Sequence, residues 1–378
     1  MKIVCDNKIP FLKGVLEPFA QVVYLPGKET TPEVVRDADA LITRTRTKCN
    51  EALLKGSQVQ VIATATIGFD HIDTAWCDRN GIFWENAPGC NSGSVQQYIA
   101  SVLVTLARKY GFRLADKTLG VVGVGHVGRK VARIASLLGM KVLLNDPPRA
   151  RKEGSEGFVG LDELCAKSDL ITVHVPLQRE GEDATWHLFD AARIARLRPD
   201  QFLFNSSRGP VVDNAALREA LKAGSLRGAV LDVWEGEPDI DRELMGLVEY
   251  STPHIAGYSA DGKANGTTMS VRTVAAVLGL PLTDWTASGV PAPAQPLSFR
   301  IDAAGKSDAE VLAEAVLHTY DVQRDSDALR AAPGLFEKLR GDYPVRREPT
   351  AFSLLLQGGT AAQADTLSRI GFNVTINQ

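Results

Sequence analysis

Short apolar runs alternate with helical segments along the first 90 residues. The runs cover residues 3–5, 22–25, 40–43, 59–63 and 82–84, and proline, glycine or charged residues bound them. Apolar runs of this length between turn residues are typical of strands. Because strands that alternate with helices usually form a parallel sheet, the pattern predicts a small parallel α/β domain.

A longer helix and a second α/β series follow. Apolar residues recur at helical spacing over 92–110, which predicts a helix that connects two domains. Further apolar runs cover residues 119–124, 141–145, 170–174, 201–205, 228–233 and 249–251, with helical segments at 127–138, 162–167 and 214–223. This alternation is typical of a doubly wound sheet.

The last third of the chain has a different character. A predicted helix over 262–278 could return the chain to the first domain, and four prolines among small residues mark 281–297 as a linker. Beyond it, a helix near 308–320, a basic segment and an apolar run over 352–356 predict a small C-terminal α+β domain at 298–378.

Composition narrows the class of protein. With 378 residues, 44% hydrophobic and 23% charged, the chain is typical of a multi-domain globular protein. A net charge of −3 gives no general attraction to nucleic acid or membrane. The five cysteines lack metal-ligand spacing, so we expect reduced thiols and no metal site. Without a signal peptide or a bilayer-spanning stretch, we expect a cytoplasmic protein.

A glycine-rich motif opens the second series. Gly123, Gly125 and Gly128 have the G-x-G-x-x-G spacing, follow an apolar strand and begin an amphipathic helix. In that context the first glycine permits a tight turn, the second admits a pyrophosphate and the third allows close helix–strand packing. The backbone of His126, inside the motif, is expected to line the phosphates.

An acid at the end of the next strand favours NAD over NADP. Asp146 lies where a ribose-binding carboxylate belongs, and it would repel a 2′-phosphate. Its alternative role is to begin the Pro147-Pro148 turn. Arg149 favours NADP instead, because it could hold a 2′-phosphate. We expect NAD as the cofactor.

Three polar residues follow later strands of this series. Arg208, Glu237 and His254 combine a cation, an acid and an imidazole where ligands bind in doubly wound sheets. We interpret His254 as the base for a hydroxyl proton, Glu237 as its orienting partner, and Arg208 as the ligand of a substrate carboxylate. Taken singly, each could be an ordinary loop residue. Together they predict hydride removal from a 2-hydroxy acid.

The motifs resemble those of the D-isomer-specific 2-hydroxyacid dehydrogenases. The likeness runs from the glycine motif through Ser-Ser-Arg-Gly-Pro-Val-Val-Asp-Asn at 206–214, Leu-Asp-Val-Trp-Glu-Gly-Glu-Pro at 231–238 and Thr-Pro-His-Ile-Ala-Gly at 252–257. It implies a discontinuous flavodoxin-like substrate domain at 1–92 with 256–280, and a Rossmann-type NAD domain at 93–255.

The same resemblance implies further site residues. Positions along the cofactor are His126, Val127, Val175, Pro176, Ser206, Ser207, Arg208, Asp232 and Gly257. Positions that contact substrate are Thr45, Thr66 and Tyr258. Asp232 could bind the nicotinamide carboxamide, or it could merely cap its strand.

The closest likeness within the family is to a member that acts on a phosphorylated 2-hydroxy acid. It rests partly on the tail Tyr-Pro-Val-Arg-Arg-Glu at 343–348, which resembles that enzyme's dimerisation domain. We therefore expect a phosphorylated 2-hydroxy acid as substrate and a homodimer through the C-terminal domain. Arg346 and Arg347 could hold the phosphate across the dimer or form a solvated basic turn.

Two alternatives stay open. One is another D-2-hydroxyacid dehydrogenase, of the phosphoglycerate or hydroxypyruvate type. The other is an NAD-sensing corepressor, a binding protein on the same fold. The complete set of Arg208, Glu237 and His254 favours an enzyme, and we expect no nucleic-acid or membrane partner.

Overall fold

The computed structural model describes residues 1–377 and divides the chain into two compact units. The first combines Met1–Asn91 with Ser259–Pro291, and the second combines Ser92–Tyr258 with residues from Ala292 onward. The C-terminal region therefore groups with the second unit, and the proline-rich stretch is shared between the two units. None of the helices within residues 1–377 is long and apolar enough to cross a bilayer.

The first unit is built on a five-stranded parallel sheet. Its strands are β1 (Lys2–Asp6), β2 (Gln21–Leu25), β3 (Ala40–Thr43), β4 (Val61–Thr64) and β5 (Phe83–Glu85), in the order β2-β1-β3-β4-β5. Its α-helices are Pro32–Val35, Glu51–Leu54, Thr74–Arg79 and Ala260–Leu278, with a 3₁₀ turn at Gly27–Glu29. The strand order is that of flavodoxin-like sheets.

Both faces of this sheet are covered, which is why its strands are continuous apolar runs. Consecutive residues of β1, such as Ile3 and Val4, belong to different hydrophobic clusters, as expected for side chains on opposite faces of the sheet. Helix Ala260–Leu278 contributes Val271 and Val274 to one of them. The late helix therefore completes the first unit.

The second unit contains a six-stranded parallel sheet. Its strands are β6 (Thr118–Val122), β7 (Lys141–Asn145), β8 (Leu170–Val173), β9 (Phe202–Asn205), β10 (Gly228–Leu231) and β11 (Tyr250–Ser251), in the order β11-β10-β9-β8-β6-β7. The accompanying α-helices are Ser92–Tyr110, His126–Leu137, Pro147–Glu153, Leu161–Lys167, Ala191–Ile194, Asn214–Lys222 and Arg242–Leu247, with 3₁₀ turns at Leu114–Asp116 and Gly209–Val211. The strand order reverses between β6 and β8, so the carboxyl ends of these strands border the crevice where such sheets bind ligands.

A three-stranded parallel sheet ends the chain. It consists of β12 (Ser298–Asp302), β13 (Ser353–Gln357) and β14 (Asn373–Asn377), in that order. Its α-helices are Asp308–Thr319, Val322–Ala331, Phe336–Gly341 and Ala361–Ile370, with 3₁₀ turns at Pro333–Leu335 and Pro349–Ala351. Val311 and Leu367 share one hydrophobic cluster with Leu103 and Ile134 of the nucleotide domain. The predicted fold class is confirmed: two α/β sheet domains and a small C-terminal sheet.

Candidate active site

The glycine motif forms a tight turn between β6 and helix His126–Leu137. Gly123 has a φ of 85°, and a Cβ there would lie 2.6 Å from the carbonyl oxygen of His174. A Cβ on Gly128 would lie 1.9 Å from the carbonyl oxygen of Gly123. Gly125 caps the helix, and nothing lies within 4 Å of where its Cβ would be. The turn therefore leaves open space at a helix N-terminus, which fits a pyrophosphate.

Asp146 lies against this turn. Its carboxylate accepts hydrogen bonds from the Val124 amide at 2.7 Å and from the Arg149 amide at 3.1 Å. Each oxygen keeps a further lone pair for a ribose hydroxyl. The Arg149 guanidinium donates to the Val124 carbonyl at 2.6 Å and to both oxygens of Glu153 at 2.9 and 2.6 Å. Arg149, which could have favoured NADP by binding a 2′-phosphate, is thus already bonded to Val124 and Glu153.

The other expected cofactor positions follow the strands of the same sheet. Val175 and Pro176 lie beyond β8, Ser206 and Ser207 beyond β9. The hydroxyl oxygen of Ser206 is buried without a hydrogen-bond partner, so it could donate to a ligand. The Ser207 hydroxyl already bonds to the Asn205 side chain at 2.9 Å. His126 is exposed, as expected for a residue that offers its backbone.

A close backbone contact joins the loops that carry Arg208 and Glu237. A Cβ on Gly209 would lie 2.0 Å from the carbonyl oxygen of Trp234 and 2.7 Å from the amide nitrogen of Glu235. The Asn205 side chain holds the Arg208 carbonyl at 2.8 Å. Only glycine can follow Arg208 at this distance, so the two loops are locked together.

His187 adds a second link between these loops. Its Nε2 lies 2.8 Å from Glu235, whose other oxygen accepts from the Asn214 amide at 3.0 Å. His187, Asp213 and Glu235 each offer one side-chain nitrogen or oxygen atom that could bind a metal ion, and these atoms lie within 4.8 Å of one another. These hydrogen bonds connect the segment after Arg208 with the segment before Glu237.

Glu237 and His254 form a direct acid–imidazole pair. The Nδ1 atom of His254 lies 2.8 Å from one Glu237 oxygen, and the other oxygen accepts from the Trp234 amide at 2.9 Å. Burial by itself would raise the pKa of Glu237, but the hydrogen bond and charge of His254, with the Trp234 amide and the Arg340 charge, lower it. Glu237 is therefore ionised at neutral pH, and it favours the tautomer with the proton on Nδ1.

His254 is held in an unusual backbone conformation. Its φ is 57°, in the left-handed region that non-glycine residues seldom adopt. Its amide donates to the Asp232 carbonyl at 2.7 Å. The buried Asp232 carboxylate accepts from the Thr252 hydroxyl at 2.7 Å and from the amides of Ile255 and Ala256 at 2.7 and 2.9 Å. Asp232 thus organises the loop around His254.

Two other histidines are poor candidates for the base. Burial lowers the pKa of His174 to about 3, and its Nε2 lies 3.0 Å from the Thr172 hydroxyl. Burial also lowers the pKa of His71 to about 4, against the smaller effect of Asp70. Both imidazoles are neutral at physiological pH, and a pKa that low makes each a weak base.

The expected substrate residues lie in different units. Thr45 and Thr66 belong to the first unit, where the Thr66 hydroxyl bonds to the Gly68 carbonyl at 2.8 Å. Tyr258 ends the first segment of the second unit, and its hydroxyl accepts from the Arg340 Nε at 2.8 Å. Sequence reasoning missed Arg340, because nothing near it suggests a ligand.

Arg346 is the clearest departure from the sequence expectations. A solvated basic turn was one reading of its segment, but Arg346 is only 3% exposed. It donates to backbone carbonyls beside His254 within its own chain. The solvated-turn reading is therefore wrong for Arg346.

Comparisons with known proteins agree with this geometry. Residues 95–256 match the family model described as "D-isomer specific 2-hydroxyacid dehydrogenase, NAD binding domain". An erythronate-4-phosphate dehydrogenase of Bacteroides fragilis is 51% identical over 94% of this chain and 99% of its own length. The chain belongs to the erythronate-4-phosphate dehydrogenase family. A relative from Klebsiella pneumoniae with that name is 43% identical over 99% of this chain and 98% of its own.

Solved structures extend the likeness to the wider class of D-2-hydroxyacid dehydrogenases. A D-lactate dehydrogenase from Aquifex aeolicus, complexed with NAD and lactic acid, has a TM-score of 0.63 at 27% identity and covers 77% of this chain and 100% of its own. An NAD-dependent formate dehydrogenase from Staphylococcus aureus in complex with NAD has a TM-score of 0.61 at 25% identity. The match covers 74% of this chain and 96% of that structure's chain. These findings confirm an NAD-dependent dehydrogenase. Residues 294–371 match a family model of unknown function.

Proposed function

We propose that this chain oxidises 4-phospho-D-erythronate to 2-oxo-3-hydroxy-4-phosphobutanoate with NAD, a step in pyridoxal 5′-phosphate biosynthesis. The observation that carries the substrate is the 51% identity to an erythronate-4-phosphate dehydrogenase across 94% of the chain. The lactate and formate dehydrogenases cover only 77% and 74% of the chain. The fold that these two dehydrogenases share with the chain supports an NAD-dependent oxidation. The identity of the acid rests on the similarity to erythronate-4-phosphate dehydrogenases.

The pair of Glu237 and His254 supports the chemistry. With the proton held on Nδ1 by a carboxylate 2.8 Å away, the Nε2 atom of His254 can take the proton of the C2 hydroxyl. Loss of that proton lets the C2–H bonding electrons leave as hydride while the C2–O bond becomes a carbonyl. Bound NAD would supply the acceptor for this hydride. Arg208 holds the substrate carboxylate through its forked donors and polarises the C2 oxygen.

The remaining expected roles belong to the same proposal. Asp146 binds the ribose, and the glycine turn with Val127 receives the pyrophosphate. Val175, Pro176, Ser206, Ser207, Asp232 and Gly257 line the cofactor. Thr45, Thr66 and Tyr258 contact the substrate.

We also propose a cytoplasmic homodimer formed through the C-terminal region. Leu355, on the middle strand of the last sheet, is 37% exposed on the face away from the buried Leu354 and Leu356, as a residue at an interface would be in an isolated chain. Light scattering on the purified full chain should give twice the mass of one chain. A monomer at working concentration would reject the dimer.

A turnover assay with 4-phosphoerythronate, NAD and a 2-oxo acid acceptor tests the reaction. His254→Ala should lower kcat by orders of magnitude while nicotinamide fluorescence still reports cofactor binding, because only the proton transfer is lost. His318→Gln is the matched control on helix Asp308–Thr319, where the half-buried imidazole bonds to the Pro296 carbonyl and takes no part in the proposed site. Activity on 3-phosphoglycerate with none on 4-phosphoerythronate would instead assign a phosphoglycerate-type enzyme. Failure to oxidise any 2-hydroxy acid would favour the corepressor reading.

A further inference from the structure

The backbone that follows His254 is held from two sides. The amides of Ile255 and Ala256 donate to the Asp232 carboxylate at 2.7 and 2.9 Å. The carbonyl oxygens of the same two residues accept from one nitrogen of Arg346 at 3.0 and 2.6 Å. Asp232 is 1% exposed and Arg346 is 3% exposed. A buried anion and a buried cation therefore fix two consecutive residues next to His254.

The surroundings of Arg346 set the position of its guanidinium. The guanidinium carbon lies 4.4 Å from the ring centre of Tyr320 and 5.7 Å from that of Tyr343. The hydroxyls of both tyrosines donate to the same oxygen of Asp325, at 2.9 and 2.6 Å. Burial raises the pKa of Asp325, although the Tyr343 hydrogen bond and the Arg346 charge act against it. The Arg346 guanidinium thus lies beside the rings of Tyr320 and Tyr343, and Asp325 fixes the positions of both rings.

The chain that carries Arg346 is anchored to the long helix of the second unit. The Gln97 side chain donates to the Arg347 carbonyl at 2.8 Å, and the Ser94 hydroxyl donates to Glu348 at 3.0 Å. A Cβ on Gly93 would lie 2.1 Å from a Glu348 carboxylate oxygen. The Glu348 carboxylate therefore packs against the helix at Gly93, and together with the Gln97 hydrogen bond it anchors the segment from which Arg346 extends.

We propose that Arg346 is a positioning residue for His254, and that the C-terminal region is thereby part of the catalytic apparatus. This inference rests on the proposed role of His254 as general base. A non-glycine residue at a φ of 57° persists only where its surroundings over-determine it. Asp232 and Arg346 provide that constraint from opposite sides of the backbone. Without Arg346, the loop relaxes, and the resulting misalignment between Nε2 and the C2 hydroxyl lowers turnover.

Steady-state kinetics of Arg346→Met and Arg346→Lys test this proposal. A misplacement of about 1 Å at the base costs roughly 100-fold, so Arg346→Met should lower kcat by about that factor. Affinity for NAD should fall much less than kcat, since the glycine turn and Asp146, which are proposed to hold the pyrophosphate and the ribose, lie outside this loop. Arg346→Lys should recover part of the loss, because its ammonium still donates but lacks the planar guanidinium. Arg300→Met is the matched control at an exposed position of β12.

Two further measurements separate positioning from general stability. In a His254→Ala background, Arg346→Met should add little further loss, since a residue that acts through His254 has nothing left to position. Hydrogen exchange followed by mass spectrometry should show faster exchange over 252–258 in Arg346→Met, with the sheet strands unchanged. This readout needs no substrate, so it stands even if the wild-type protein fails to oxidise 4-phosphoerythronate.

Several outcomes would overturn the proposal. One is an Arg346→Met kcat within about twofold of wild type, and another is an equal loss with and without His254. If Arg346→Met does not fold, Arg346→Lys decides. Full activity with unchanged exchange in that variant would assign Arg346 to folding alone, whereas a lower kcat with local loosening over 252–258 supports positioning.

Discussion

Glu237→Gln should trap His254 in the wrong tautomer. The Glu237 carboxylate lies between the Trp234 amide, at 2.9 Å, and the Nδ1 atom of His254, at 2.8 Å. A glutamine offers one accepting end and one donating end. Because the Trp234 N–H can only donate, the glutamine carbonyl must face it and the NH₂ group must face His254. An imidazole whose Nδ1 accepts a hydrogen bond carries its proton on Nε2, so it cannot accept the substrate proton there.

The expected magnitude follows from comparable acid–histidine pairs. Exchanging the carboxylate for an amide in such a pair lowers kcat by about 10⁴, which corresponds to about 5.5 kcal/mol. The side chains of His254 and Glu237 keep 28% and 20% of their exposure, so some solvent can relax the pair. We therefore expect a loss of about 10³ to 10⁴ in kcat, with NAD affinity unchanged.

Stability should respond to pH through the same residue. Burial alone would raise the pKa of Glu237, but the hydrogen bond and charge of His254, the Trp234 amide and the Arg340 charge together outweigh it, so the pKa is lowered in the folded protein. A carboxylate with a lowered pKa stabilises the fold above its ordinary pKa, and that contribution is lost as the pH falls through the lowered value. Thermal unfolding of wild type and Glu237→Gln should therefore differ most at neutral pH and converge in acid.

The assay is kcat at saturating 4-phosphoerythronate and NAD, with cofactor binding followed by fluorescence. Glu243→Gln makes the same chemical change on helix Arg242–Leu247, where the Glu243 carboxylate pairs with surface residues such as Lys222 at 2.9 Å. This control should keep wild-type turnover. A Glu237→Gln kcat within about tenfold of wild type, with NAD bound, would refute the tautomer argument.

Three further predictions concern other features of the second unit. Gly209→Ala places a Cβ 2.0 Å from the Trp234 carbonyl, so kcat and the unfolding temperature should both fall; retention of both would contradict the close contact. Glu153→Ala removes the ion pair of Arg149, which keeps its hydrogen bond to the Val124 carbonyl, and should raise kcat/KM with NADP about two- to fivefold, the worth of an exposed ion pair; an unchanged ratio of NADP to NAD use would show that Glu153 does not restrain Arg149. Asp241→Ala removes a helix N-cap and should cost about 1 kcal/mol in denaturant unfolding, and the difference should shrink as the pH falls through the lowered pKa of Asp241.

The pattern of apolar residues was sufficient to predict the two larger sheets. Strands covered on both faces are continuous apolar runs, so β1 and β9 stand out in the sequence. Helix Ser92–Tyr110 was predicted at its observed bounds, because its apolar residues recur at helical spacing, although residues 97–104 are buried on every side of the helix. The edge strands β12 and β14 were not predicted. Most of their residues are exposed or half-exposed, which leaves little apolar signal.

The candidate site was predictable only in part. The glycine motif and Asp146 follow a local pattern, and the pair of Glu237 and His254 was inferred from residue types after strands. The double constraint on the loop after His254 was beyond sequence reasoning, because Arg346 lies 90 residues from the carbonyl of Ala256. Contacts between such distant residues depend on how helices pack, and no local periodicity records them.

The close approach of Gly209 to the Trp234 carbonyl has a consequence for how substrate preference can change. Because Arg208 and Glu237 belong to loops whose backbones are in contact, neither loop can shift its backbone toward a larger or smaller acid without moving the other. Lengthening either loop would pull apart Arg208 and Glu237, the groups proposed to bind the substrate carboxylate and to orient His254. Redesign for a different 2-hydroxy acid should therefore leave 205–209 and 234–237 untouched and vary residues elsewhere in the chain.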